Sequence, residues 1–261
     1  MKRFYINANE LKDPDGSNAS RIRELAKQKG AIITDNYDDA EAVIVLGGDG
    51  TILKVAEDIA GRDIPMLGIN LGTLGYLTEA DMDGASSAID KLISEDIIVE
   101  ERMMLYGCVN GSDQYEDHAL NDVVISGSEP LAIVKYDISV NGEFLNSYSA
   151  DGLIIATPTG STGYNMSAGG PIVEPKARLM VITPICPHTL NSRSIVLSAE
   201  DEIEVRIAGE QRTRVVVQFD GRTPHTIDST MSARIRQSYQ TTKIIRLNKD
   251  SFLKTLHNKL K

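Results

Sequence analysis

The sequence predicts two regions of different class: an α/β amino-terminal domain, a parallel sheet with flanking helices, followed by a β-rich, largely antiparallel carboxyl-terminal domain. Three observations carry this. Up to residue 96, continuous apolar runs alternate with segments of helical period; from Ile97 the texture changes to short Val-, Ile-, Thr- and Tyr-rich segments broken by Asn-Gly and Asp-Gly; and the 261 residues give one or two domains at roughly 150 residues each.

The first region is read in order. Phe4 to Ile6 is a short strand, and Asn18 to Lys29 carries Ile22, Leu25 and Ala26 at helical spacing before Gly30. The pattern repeats with the continuous run Ala42 to Leu46 and then Ile52, Leu53, Val55, Ala56 and Ile59, ending at Gly61. Pro65 to Ile69 and a helix-like stretch from Ala85 to Ile93 follow. Strands that are apolar throughout belong to parallel sheets covered on both faces.

In the second region Asn110-Gly111, Asn141-Gly142 and Asp220-Gly221 mark tight hairpin turns, because both central residues of the favoured turn need positive φ. Glu202 to Ile207 alternates charged and apolar residues, as a half-exposed strand does. Asp250 to Lys261 has Phe252, Leu253, Leu256 and Leu260 at the spacing of an amphipathic helix.

Charge narrows the function. With 37 acidic against 27 basic side chains the net charge is -10, which argues against broad nucleic-acid binding, since that rests on Lys and Arg neutralising phosphates. No stretch approaches the roughly 18 apolar residues of a membrane span, and the apolar run after Met1-Lys2-Arg3 stops at Asn7. Cys108 and Cys186 stand far apart without zinc-type spacing, as small core side chains in a reducing cytoplasm would. The expectation is a cytoplasmic chain with no membrane and no nucleic-acid partner.

The sharpest local feature is Gly47-Gly48-Asp49-Gly50-Thr51, after a buried strand and before a helix. Glycines let the backbone approach a ligand, and the helix start offers unpaired N–H groups to phosphate. The segment lacks both the Gly-Lys-Ser/Thr ending of a P-loop and the Gly-x-Gly-x-x-Gly of a dinucleotide fold. It carries Asp49 instead, and a carboxylate beside polyphosphate is repelled by about 1 kcal/mol per charge pair at 4 Å even in water. Two roles would justify it: taking a proton from an acceptor hydroxyl, or acting through a divalent cation that bridges phosphate oxygens. The plainer reading is a tight turn.

Three further segments bear on the choice. Gly68 to Tyr76 is a second Gly-rich loop, after the next strand and at the sheet edge where open parallel sheets bind ligands. Asp151-Gly152, then Thr157-Pro158-Thr159-Gly160-Ser161-Thr162-Gly163-Tyr164 and Gly169-Gly170-Pro171, concentrate hydroxyls beside an aromatic face, suited to sugar and base, or to a surface loop. Asn121-Asp122 pairs an amide with a carboxylate, as two neighbouring ribose hydroxyls require, or as a strand cap does.

Together these motifs, in this order, resemble the NAD kinase family, and Thr183-Pro184-Ile185-Cys186-Pro187-His188 with Arg193 extends the match. The first motif is shared with diacylglycerol, sphingosine and 6-phosphofructokinases; the long central one is far more specific. The resemblance implies domains at 1–96 and 97–249, a site between them, and a terminal helix 250–261 returning to the first. It implies phosphoryl transfer from ATP, or in some members polyphosphate, to the 2'-hydroxyl of the adenosine ribose of NAD. Asp49 matches the proton acceptor; Gly47, Gly48, Gly50 and Thr51 form the phosphate loop. Asp49, Gly50, Lys54, Asn121, Asp122, Asp151, Thr162, Gly163, Tyr164, Asn165, Met166 and Ser167 match positions that contact the dinucleotide. Magnesium would come with the substrate phosphates rather than with a protein cluster, and the family implies a homodimer or homotetramer.

The sequence departs from the pattern at Asp122, where Glu is common, at Gly163 for Ala, at Ser194 for Pro and at Tyr76 for Phe. Rival readings explain less. A lipid or sugar kinase leaves Thr157 to Pro171 unused. A short-chain dehydrogenase needs Tyr and Lys on one helix face, and Tyr239 with Lys243 lies in a β-like stretch. A dinucleotide sensor without catalysis has no use for Asp49. His118, His188, His225 and His257 have no metal-ligand spacing. A chain this acidic must bind anions locally, through backbone N–H groups, a divalent cation and Lys54.

Overall fold

The computed structural model describes every residue except 1, 74, 112–113, 130–131, 189–191, 210–212, 250 and 261. Met1, Leu74, Asp250 and Lys261, named above, therefore lie outside the described residues. The chain forms two compact units, residues 1–102 with 242–261, and residues 103–241.

The first unit is the α/β one. Its strands Arg3–Ala8, Ile32–Thr34, Ala42–Gly47 and Met66–Asn70 are parallel, in the order Ile32–Thr34, Arg3–Ala8, Ala42–Gly47, Met66–Asn70. Every residue of Ala42–Gly47 and of Met66–Asn70 is buried, which explains their unbroken apolar sequence. Ile244, near the end of the strand Ser232–Arg246, pairs in parallel with Met66. The helices Ser17–Gln28 and Ala85–Ser94 turn Ala19, Ile22 and Ala26, and Ala85, Ala88, Ile89 and Leu92, into one core with Phe4, Ile44, Leu46, Leu67 and Ile69. The first helix has Gly16 at its cap, with no side-chain bond from that position. Asp13 substitutes: its carboxylate accepts from the backbone N–H of Asn18 at 2.9 Å and of Ala19 at 2.9 Å.

A buried ionic knot closes this unit. Arg246, 2% exposed, meets Glu79 at 2.5 Å and Glu100 at 3.1 Å, and its Nη2 donates to the Tyr76 carbonyl at 3.2 Å. Arg102 also pairs with Glu100, at 2.5 Å. Burial raises the Glu100 pKa, but the Arg102 charge and the hydrogen bonds from Arg246 and Arg102 outweigh it and hold the group at about 2. The final helix, Ser251–Lys259, places Phe252 6.4 Å from the Tyr76 ring, and Lys259 Nζ lies 5.0 Å above the same ring. Its Leu253 and Leu260 face outward, so only part of the anticipated apolar stripe is covered.

The second unit is antiparallel. One sheet runs Ile195–Ser198, Leu179–Ile185, Gly152–Ala156, Asp122–Gly127, Val215–Phe219, His225–Ile227. Another set pairs Glu143–Ala150 with Val134–Val140, that strand with Ile203–Ile207, and Ile203–Ile207 with Ser232–Ile235. Val123, Ile125, Leu153 and Ile155 from the first sheet and Tyr136, Ile138, Val205 and Ile235 from the second share one core, a sandwich in which alternate residues point inward. Asn141 (φ 52°) and Gly142 (φ 84°) make the hairpin turn with both positive angles, as do Asp220 (φ 49°) and Gly221 (φ 69°). Asn110-Gly111 does not: only Gly111 is positive, at 157°, and a Cβ there would lie 2.5 Å from Met231 Cγ, so that glycine makes room for packing. Cys108 and Cys186 are unpaired, but Cys186 is exposed rather than in the core, because it turns the chain at φ 45° after Leu179–Ile185.

Candidate functional site

In the first unit the strand Ala42–Gly47 ends at the glycine loop and the helix Asp49–Asp58 begins at once, with Gly48 as a cap that makes no side-chain bond. Asp49 is thus the first helical residue, where a negative charge is favoured by the helix dipole. Its carboxylate is also tied to the second loop. Oδ2 accepts from the Tyr76 N–H at 2.9 Å and Oδ1 from the Leu77 N–H at 3.0 Å. A carboxylate has about four acceptor sites, so each oxygen keeps capacity for a further partner while its direction is fixed.

The glycines have separate reasons. A Cβ on Gly75 would sit 1.9 Å from Asp49 Oδ1, and one on Gly47 2.2 Å from Thr51 Oγ1. Thr51 is buried and accepts from Asn9 Nδ2 at 2.9 Å, which anchors the loop to the segment after Arg3–Ala8. Gly50 has nothing within 4 Å of its Cβ position, so the backbone there is open to a ligand. The cation at these loops is Lys12: its Nζ lies 3.2 Å from the Cβ position of Gly48 and 3.8 Å from that of Gly72. Sequence reasoning missed it, and nothing in the local pattern marks it. Lys54 is exposed on its helix.

In the second unit three segments meet. The Asn121 carbonyl accepts from Thr157 N–H at 2.8 Å, and Thr157 Oγ1 donates to the Leu120 carbonyl at 2.6 Å and accepts from Gly160 N–H at 3.0 Å. Gly160 is pressed onto this contact, its Cβ position being 2.1 Å from Asn121 O. Asn121 keeps a buried Oδ1 with no partner among the described residues, and its Nδ2 lies 3.4 Å from the Cβ position of Gly163. Glycine at 163 therefore leaves the Asn121 amide uncrowded. The Asp122 side chain is buried, at 5% exposure; burial first, and the Asp220 charge second, push its carboxyl up to about 7.

The central motif divides by task. Tyr164, Met166 and Ser167 form a short exposed helical turn, with Thr162 and Gly163 half-buried before it. Asn165 differs: fully buried, it donates to the carbonyls of Ser161 at 3.2 Å and Pro171 at 3.0 Å and accepts from Thr183 Oγ1 at 2.7 Å. Its side chain staples the loop. Thr183 Oγ1 lies 2.9 Å from Ser194 Oγ, so the serine that replaces proline extends this network. Asp151 is half-buried, 3.6 Å from His188 Nε2. Asp220, known from sequence only as a turn residue, accepts from three consecutive N–H groups, Leu120 at 2.7 Å, Asn121 at 2.8 Å and Asp122 at 3.1 Å. Among the described residues no three His, Cys, Asp or Glu side chains gather to hold a metal.

Comparison with known proteins agrees with these two halves. The ATP-NAD kinase N-terminal domain matches residues 5–97 and the ATP-NAD kinase C-terminal domain residues 120–247. The chain is 41% identical to an NAD kinase of Lachnospira eligens with both chains fully covered, and 42% identical to one of Agathobacter rectalis, covering 100% of this chain and 99% of that one. Among solved structures, the NAD kinase from Archaeoglobus fulgidus in complex with ATP superposes with a TM-score of 0.82 at 26% identity, over 98% of this chain and 97% of that one. Yeast NADH kinase complexed with NADH has the same fold, with a TM-score of 0.85 at 23% identity, over 100% and 87% of the two chains. The chain belongs to the ATP-NAD kinase family.

Proposed function

We propose that this chain transfers the terminal phosphoryl group of ATP to the 2'-hydroxyl of the adenosine ribose of NAD, making NADP. The observation that carries the reading is Asp49: a carboxylate fixed by two backbone N–H groups at the head of a helix, beside an open glycine loop. In this reading the hydroxyl gives its proton to Asp49 as its oxygen bonds to the γ-phosphorus. The bond from that phosphorus to the β–γ bridging oxygen breaks, and ADP leaves. Gly47, Gly48 and Gly50 line the donor side with bare backbone, Thr51, whose N–H is donated to the Gly48 carbonyl at 2.9 Å, holds the loop, and Lys12 adds a charge. Asn121 and Asp122 take the ribose hydroxyls, with Gly50, Lys54, Asp151 and the exposed turn Thr162 to Ser167 as further contacts; Asn165 acts there by holding the turn.

A divalent cation is taken as the companion of the donor phosphates, as the resemblance to the family implies. When bound it neutralises phosphate charge. Cytoplasmic location and a homodimer or homotetramer complete the reading; the unpaired cysteines support the first and family membership the second. Purified protein incubated with NAD and either Mg-ATP or polyphosphate, with NADP measured, tests it. No NADP with either donor would overturn it.

A further inference from the structure

Two carboxylates in the second unit do more than bond locally. Asp220 lies at the turn after Val215–Phe219, in the left-handed region at φ 49°, and returns a bond of its own: its N–H donates to the Asp122 carbonyl at 3.0 Å. With the three N–H groups it accepts, it grips residues 120–122 from both directions. A plain hairpin turn requires none of these bonds, and a left-handed angle is more easily met by glycine or asparagine. The grip falls on the peptide that carries the unpartnered Asn121 Oδ1 and the buried Asp122 carboxyl.

We propose that Asp220 is a positioning residue for nucleoside recognition: its four hydrogen bonds fix the peptide that carries Asn121 and Asp122. This rests on the reading of Asn121 and Asp122 as the ribose-hydroxyl ligands. A neutral carboxyl can donate to a hydroxyl oxygen, whereas an ionised one only accepts; burial, with the Asp220 charge adding to it, raises the Asp122 carboxyl, so Asp220 contributes to which hydrogen bonds Asp122 offers near neutral pH. The other charged or titratable groups around the pair are Arg222, Asp117, to which Arg222 Nη1 pairs at 3.0 Å, and His118, whose carbonyl accepts from Arg222 Nη2. Burial raises the Asp220 pKa; the N–H groups of Leu120, Asn121 and Asp122, and after them the Arg222 guanidinium, oppose that rise.

The test compares Asp220→Asn with Asp122→Asn in NADP-forming assays across pH, with folding followed by circular dichroism. Asp220→Asn should raise the NAD KM at least tenfold, change kcat and the ATP KM less than about threefold, and move the inflection of the NAD KM to lower pH. A fall in kcat alone, matched by lost folded protein, would overturn the proposal, as would unchanged kinetics. If Asp122→Asn leaves the NAD KM unaltered, the ribose reading itself fails. If Asp122→Asn raises it and Asp220→Asn does not, only the positioning role fails. Should Asp220→Asn not fold, hydrogen exchange of the Leu120, Asn121 and Asp122 amides in the unaltered protein decides: slow exchange that NAD slows little further supports a peptide already fixed by Asp220, and fast exchange overturns it.

Discussion

Asp49 and Tyr76 are joined through the backbone: the carboxylate of the first glycine loop accepts the N–H of the second at 2.9 Å, which ties the two loops together. Replacing Asp49 by Asn puts an NH2 against one of two N–H donors and removes the proton acceptor. Turnover should fall by about 10²–10⁴, the usual worth of a general base, while NAD affinity by calorimetry stays within a few-fold. A fully active Asp49→Asn enzyme would remove the assignment.

Gly75→Ala probes the same geometry without touching the acid. The new methyl would fall 1.9 Å from Asp49 Oδ1, so the carboxylate must turn away. We expect kcat to drop by at least tenfold with little loss of thermal stability. An active Gly75→Ala enzyme would mean that the direction of Asp49 is unimportant.

Lys12→Met should act on the donor. Its ammonium lies over both glycine loops and no carboxylate pairs with it among the described residues. One lost charge contact to phosphate is expected to raise the ATP KM about tenfold, or roughly 1.4 kcal/mol. The NAD KM should be unchanged, and steady-state kinetics with each substrate varied separates the two.

Arg246→Leu should cost about 3–5 kcal/mol, because it strips the arginine from the buried Glu79 and leaves Glu100 with Arg102 alone. The sign with pH follows from Glu100, whose pKa lies below its ordinary 4.5, at about 2. Its contribution is full above 4.5 and is lost as pH falls through the folded value. Urea unfolding at neutral pH and at about pH 3 should therefore show a smaller gap between Arg246→Leu and the unaltered protein in acid.

Much of this was legible from sequence for a physical reason. Ala42–Gly47 is buried on both faces and so reads as an unbroken apolar run; Asn141-Gly142 needs two positive angles and so uses residues that adopt them. The glycine loop announced itself through Gly47 and Gly50. Illegible were the contacts made by folding: Asp49 meets Tyr76 and Leu77, and Asp220 meets Leu120, across separations that no local pattern spans. Asn165 is the converse case. A polar residue in a motif invites a ligand role, yet its amide is spent on Ser161, Pro171 and Thr183.

The division of the chain at 102 and 241 has a kinetic consequence. The antiparallel unit is one uninterrupted stretch, whereas the α/β unit receives Ile244 and Arg246 only after that stretch has been synthesised. During translation the parallel strands are made before Ile244 and Arg246, so until then Met66 lacks a neighbour on one side and Glu79 lacks its arginine. The usual order, in which the amino-terminal domain matures first, would leave this sheet one strand short until residue 244 is made.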